Sequence, residues 1–171
     1  MAAFTRCVID AHDEWDSLHT LATVERDGDS VKYGTMAAID PGIHPDRYPL
    51  LIGGLAASAV AEKHPPYALM LQIEAFGTII PQEGLADPAE REKFEEDRKN
   101  RTIHKRPDAK EGAWAWLVDY QGNTWCAVKI RGKDGAADEI QEHFYPAGSE
   151  EIGGSMQEAL AAAMQVFGSA Q

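Results

Sequence analysis

Two glycine-centred turn clusters, Asp27-Gly28-Asp29-Ser30 and Gln121-Gly122-Asn123-Thr124, each stand between runs of β-branched and aromatic residues. Glycine reaches the positive φ of a tight reversal without steric cost, so each cluster predicts an antiparallel hairpin, over residues 18–39 and 113–131. Between the hairpins the pattern turns helical from Asp46, which can cap with Pro49 in the first turn, until Pro65-Pro66 stops it. The run from Pro66 to Ile80 holds a strand of about nine residues with Leu69, Leu71 and Ile73 on one face and Gln72 and Glu74 on the other. Asp87-Pro88 then opens a polar helix whose only large apolar residue is Phe94. A further strand over Glu139–Tyr145 leads to a helix with a Ser155/Glu158 capping box, Met156, Leu160, Met164 and Phe167 at helical spacing, and Gly168 at its end. Strands arriving as hairpins with helices inserted predict a single α+β domain over residues 1–171. Its sheet is largely antiparallel, with about three helices packed mainly on one face. The first dozen residues fit either strand or helix.

Turn geometry sets which residues share a face. A two-residue loop at Gly28-Asp29 puts Val24 opposite Tyr33, Leu18 opposite Ile39, and Glu25 opposite Lys32. In the second hairpin, two- and four-residue loops both make the residue numbers of facing pairs sum to an odd number. Ala115, Leu117, Cys126, Val128 and Ile130 then share one face. Trp114, Trp116, Val118, Tyr120, Trp125, Ala127, Lys129 and Arg131 share the other, which is unusually aromatic. Leu71, Ile73, Leu117 and Val128 are the expected core.

Charge narrows the function classes. The 28 acidic against 16 basic residues leave a formal net charge of -12, which disfavours binding to nucleic acid or to anionic membrane. The charge is uneven: residues 91–110 hold eight of the 16 basic residues, while residues 134–171 hold seven acids and no Lys or Arg. An acidic body with one basic strip favours an oriented encounter with a partner. Cys7 and Cys126 make neither a disulfide framework nor a zinc spacing, the N-terminus lacks a signal-peptide core, and the apolar run Leu50–Ala61 is too short to span a bilayer. The expectation is a cytoplasmic protein with no membrane association.

The densest titratable cluster is His12-Asp13-Glu14-Trp15-Asp16-Ser17-Leu18-His19. Its donors suit a transition metal, but a loop aims them in several directions, so the expectation is a polar turn with no metal and no cofactor. His19 oriented by Asp16, Glu74 in its apolar strand, and His104 are the side chains available for acid–base work, and no catalytic residue is assigned. Cys126 falls among core positions and reads as a packed thiol. Gly153-Gly154-Ser155 precedes a helix, but Glu150 and Glu151 beside it oppose an anion. No phosphate-binding loop, dinucleotide fingerprint, zinc-protease motif or nucleophile elbow is present.

Four exposed rings in one patch need a cover. The expectation is partial cover by residues 98–112, with Arg101 or Arg106 stacked on a Trp and Lys129 and Arg131 adding cation–π contacts. The rim Arg101, His104, Arg106, Trp114 and Trp116 is left to bind a protein partner. The segments DAHDEWDSLH, PPYALMLQIEAFG, RTIHKRPDA and WAWLVDYQGNTW resemble segments of uncharacterised single-domain proteins of actinobacteria and their phages. The resemblance implies a free-standing bacterial or phage protein and carries no activity onto any residue. The function expected is an acidic interaction protein, of phage or mobile-element accessory type, that binds and modulates another protein. A small hydrolase or transferase using His, Asp and Glu is the alternative, and an acidic mimic of DNA is a third.

Overall fold

The computed structural model describes residues 1–13, 15, 17, 19–43, 47–61, 66–77, 87–100, 102–132, 138–149 and 155–168. Six strands form one open sheet: β1 (His19–Asp27), β2 (Ser30–Ile39), β3 (Ala68–Gly77), β4 (Lys110–Asp119), β5 (Thr124–Ile130) and β6 (Glu139–Tyr145). Their order is β2-β1-β3-β4-β5-β6, with every neighbouring pair antiparallel. Among the described residues four α-helices accompany them: α1 (Ala2–Asp10), α2 (Tyr48–Ala61), α3 (Pro88–Asn100) and α4 (Ser155–Gly168). The α+β class and the antiparallel sheet follow the sequence reading. The helices divide differently: α2 and α4 pack together over one face, α1 lies on the other, and α3 stands off the sheet.

The alternation along β3 accounts for the two-sided core. Leu69, Leu71 and Ile73 join Leu21, Tyr48, Ile52, Leu160 and Phe167 under α2 and α4. Ala68 and Met70 join Ile9, Val24, Ala115 and Leu117 under α1. Helix α1 forms where the sequence left strand and helix open, because Thr5 and Ile9, four residues apart, share its buried face. At α3 the cap is as expected: Asp87 Oδ1 accepts the Ala89 amide at 2.9 Å. The helix caps assigned to Asp46 and Ser155 rest on side chains outside the described residues.

Both hairpin registers depart from expectation by one residue. In β1–β2 the Gly28-Asp29 loop, with Gly28 at φ 60°, does set Val24 opposite Tyr33 and Glu25 opposite Lys32. A bulge between Leu21 and Ala22 then shifts the far end, so that His19, not Leu18, faces Ile39. In β4–β5, Val118 pairs with Thr124 and the Asp119 amide donates to Asn123 O at 3.0 Å, leaving a three-residue loop with Gly122 at φ 87°. Facing residue numbers therefore sum to an even number, and the predicted faces are wrong. Trp114, Trp116, Val118, Cys126, Val128 and Ile130 face α2 and α4. Ala113, Ala115, Leu117, Trp125, Ala127 and Lys129 face α1. Trp125 and Lys129 thus lie on the opposite side of the sheet from Trp114 and Trp116.

The ends of the sheet differ. At one end the connections are tight: two residues between β1 and β2, and three between the paired Asp119 and Asn123 that join β4 to β5. At the other, eight residues join α1 to β1, eight join β2 to α2, and eight join β5 to β6. Here too 32 residues, 78–109, leave and return between β3 and β4, whose terminal residues Gly77 and Lys110 are directly paired.

Candidate functional site

The long connections bring together, at one end of the sheet, side chains that sequence reading scattered along the chain. The α1–β1 connection crosses β3 on the α1 face. His12, buried, bonds through both ring nitrogens: Nε2 donates to Glu74 Oε1 at 3.0 Å, and Nδ1 accepts from the Gln72 amide at 2.9 Å. The same Glu74 oxygen accepts Ser17 N and Ser17 Oγ, both at 3.1 Å. The polar face of β3 is therefore the seat of this connection. Ser17, His12 and Glu74 are not wired as a nucleophile relay, because the hydroxyl donates to the carboxylate and not to the imidazole.

Lys129 completes this floor from β5. Its side chain is 11% exposed, and Nζ donates to His12 O at 2.7 Å and to Asp10 O and Asp13 Oδ1 at 3.4 Å, with Asp138 at 3.8 Å. An ammonium at the carbonyl end of α1 meets the negative pole of the helix dipole, which ties the helix to the sheet. Above the floor stands a row of exposed or half-exposed groups. Trp15 meets His12 edge-on, and the Arg131 guanidinium lies 5.0 Å from the Trp15 ring centre. Arg131 also bonds Glu111 Oε1 at 3.2 Å. Phe76, beside Glu111 in register, is 53% exposed and meets the His104 ring edge-on at 6.4 Å.

His19 takes the other side of the same end. It is buried on the α2 face, where Nδ1 is hydrogen-bonded to the Tyr48 hydroxyl, and Nε2 has no partner among the described residues. Burial pushes its pKa below the usual histidine value, against the pull of Glu74 and Asp40. Tyr48 is pushed up, by burial and then by Asp40. His12 and His19 therefore do not converge. Asp16, the expected orienter of His19, is outside the described residues, and among those described no three His, Cys, Asp or Glu side chains stand together as a metal site. Cys126 is buried on the α2 and α4 face, and burial raises its thiol to about 12.

Of the five residues expected to form a binding rim, the four that are described do not come together in one cluster. Arg101 lies outside the described residues. His104 is exposed in a 3₁₀ turn at Ile103–Lys105. Arg106 is 10% exposed and spans Asp97 and Asp108 at 3.0 Å and Glu90 at 3.6 Å, its guanidinium 5.8 Å from the ring centre of Phe94 rather than over a tryptophan. The Thr102 hydroxyl, and after it Arg106, hold the Asp97 carboxyl below the usual range. Trp114 and Trp116 stack on one another, 5.6 Å apart and 6° from parallel, half-buried against the α2 and α4 core. Trp114 Nε1 donates to Ala75 O at 3.2 Å. Its ring lies over Gly77, where a Cβ would come within 2.3 Å, so only glycine fits there. The aromatic pair packs against the core beneath α2 and α4.

Sequence reading missed Trp15, Phe76, Glu111 and Arg131 as one surface. They lie on four segments, and only the register of β3, β4 and β5 aligns them. Among the described residues no helix is long and apolar enough to cross a membrane. Comparison with protein-family models, with curated protein sequences and with solved structures finds no significant match.

Proposed function

We propose that the chain is an acidic module that binds another protein through the loop end of its sheet, with Trp15, Phe76, His104 and Arg131 as the contact row. The observation that supports this reading is the pairing of exposed aromatic and cationic groups with a floor of His12, Gln72, Glu74, Ser17 and Lys129 that is hydrogen-bonded throughout. Side chains held on such a floor lose little freedom on binding, and aromatic residues and Arg are the usual anchors of protein interfaces. The net charge of -12 draws in partners with basic surfaces, and the cations Lys105, Lys110 and Arg131 around the row fix one orientation. The acid–base alternative is supported by the buried Nε2 of His19, which has no partner among the described residues and lies on the opposite face from the row.

The test is parallel capture from a bacterial lysate by the parent and by Phe76→Asp and Arg131→Glu, with Tyr120→Asp at the tight-turn end as control. A protein retained by the parent and the control but lost by both row variants, all folding alike by circular dichroism, supports the reading. Equal capture by all four proteins overturns it.

A further inference from the structure

We propose that β2 is a docking strand for a second copy of this chain: two copies pair antiparallel along Val31–Thr35 about a two-fold axis at Tyr33, and their two sheets become one. This surface lies on the sheet edge and is independent of the contact row at the loop end.

The backbone of β2 presents the template. β2 stands last in the sheet order, with no strand beyond it among the described residues, and Ser30–Thr35 are all exposed. A two-residue loop closes on a pair that exchanges both N–H···O bonds, here Asp27 and Ser30. Alternation then turns the N–H and C=O of Lys32 and Gly34 toward β1, and those of Val31, Tyr33 and Thr35 outward. The bulge that leaves Met36 unmatched ends this regular stretch. Outward amides and carbonyls invite another strand, and folded proteins guard such edges with charge, proline or a cover. The opposite edge is guarded: β6 carries Glu139 and Glu142 in seven residues, and Arg6 of α1 pairs with Glu142. Ser30–Thr35 holds no proline and no acid, and its one charged residue, Lys32, lies opposite Glu25 and 3.8 Å from Asp27 of its own hairpin.

Charge and register choose the occupant. Two chains of net charge -12 repel each other, so a second copy seats best on a strip free of acidic side chains, which this edge supplies. The antiparallel register with the greatest overlap sets Val31 opposite Thr35 of the copy, Tyr33 opposite its own counterpart, and Lys32 opposite Gly34. A slip of two residues toward the turn brings Lys32 face to face with itself, and a slip the other way loses Val31 to the bulge. The side chains agree with this register. Val31, Tyr33 and Thr35 share the face of Ala22 and Val24, and the Tyr33 ring, 42% exposed, meets Phe4 of α1 at 6.1 Å. Pairing across the axis therefore joins two such ring pairs and covers them.

The experiment is sedimentation velocity of the whole protein over roughly a hundredfold range of concentration. The parent is expected to pass from monomer to dimer and no further, since pairing uses up the β2 edge. Tyr33→Lys and Tyr33→Glu each set like charges face to face at the axis and should raise the dimer dissociation constant by about tenfold or more, while an equimolar mixture of the two recovers the dimer. That recovery requires residue 33 to face residue 33, and misfolded variants cannot imitate it. Val31→Pro tests the backbone: the amide it removes points outward, so the fold read by circular dichroism is kept while pairing is lost. A parent that stays monomeric throughout, association beyond the dimer, a dimer indifferent to Tyr33→Lys or to Val31→Pro, or folded charge variants whose mixture stays monomeric rejects the proposal. So does a parent whose β2 takes up a foreign extended peptide in place of the copy.

Discussion

Replacing Lys129 with Met keeps the aliphatic stem that crosses β5 and removes the ammonium accepted by the last carbonyls of α1. The His12 carbonyl stays buried, so Lys129→Met should destabilise the protein by about 1 to 3 kcal/mol in urea unfolding, with the exchange of α1 amides accelerated first. An unchanged midpoint shows that the contact with His12 O contributes nothing. His19 makes a prediction in pH. Its folded pKa lies below the usual 6.5, so the unfolded chain binds the proton more readily. Stability is therefore full above the unfolded value and is lost as pH falls through it toward the folded one. Between pH of about 7.5 and about 5.5 the parent should lose more stability than His19→Gln, and equal losses mean that His19 is not held neutral. His19 also marks a limit of sequence reading. Its chemistry was legible, but its face was not, because the bulge at Leu21/Ala22 moved its cross-strand partner and leaves no signature in residue type.

At the scale of elements, the sequence announced the six strands and three of the four helices found among the described residues, since turn residues, caps and periodicity are local. The fourth, α1, depended on a sheet face built much later in the chain. One turn spoiled the faces of the second hairpin. The buried carboxylate of Asp119 accepts the amides of Gln121 and Asn123, both at 2.9 Å, and the Asn123 side chain at 3.0 Å, and this bonding selects a three-residue loop over the two- and four-residue loops of the sequence reading. A one-residue change in loop length exchanges the faces of β5 relative to β4. Trp114 and Trp116 thereby part from Trp125, and the patch of four rings that the alternation implied is never assembled. Asp119→Ala strips the loop of these acceptors and should cost roughly 1 to 3 kcal/mol. Thermal unfolding beside Gln121→Ala, whose exposed side chain lies outside the carboxylate's reach, checks this, and equal effects of the two substitutions reject the role given to the carboxylate.

For the molecule as a whole, the net charge of -12 makes the compact state repel itself. Raising ionic strength from about 0.01 M to about 0.15 M shortens the screening length from about 30 Å to about 8 Å and should raise the melting temperature of the sheet. A melting temperature that falls with salt means that local ion pairs outweigh the net repulsion.

The sheet order leaves most strands beside a sequence neighbour, and α1 is the long-range exception. Its anchors are Lys129, 119 residues beyond Asp10, and Glu142, 136 residues beyond Arg6. Ribosomes add roughly 5 to 20 residues per second, so on the order of ten seconds separate the synthesis of this helix from the arrival of the strands that receive it. Throughout that interval Phe4, Val8 and Ile9 have no β5 to cover them, and a nascent amphipathic helix of this kind is open to chaperones and proteases. Substitutions on the buried face of α1 therefore act twice, once on the finished fold and once on the fraction of chains that survive long enough to complete it.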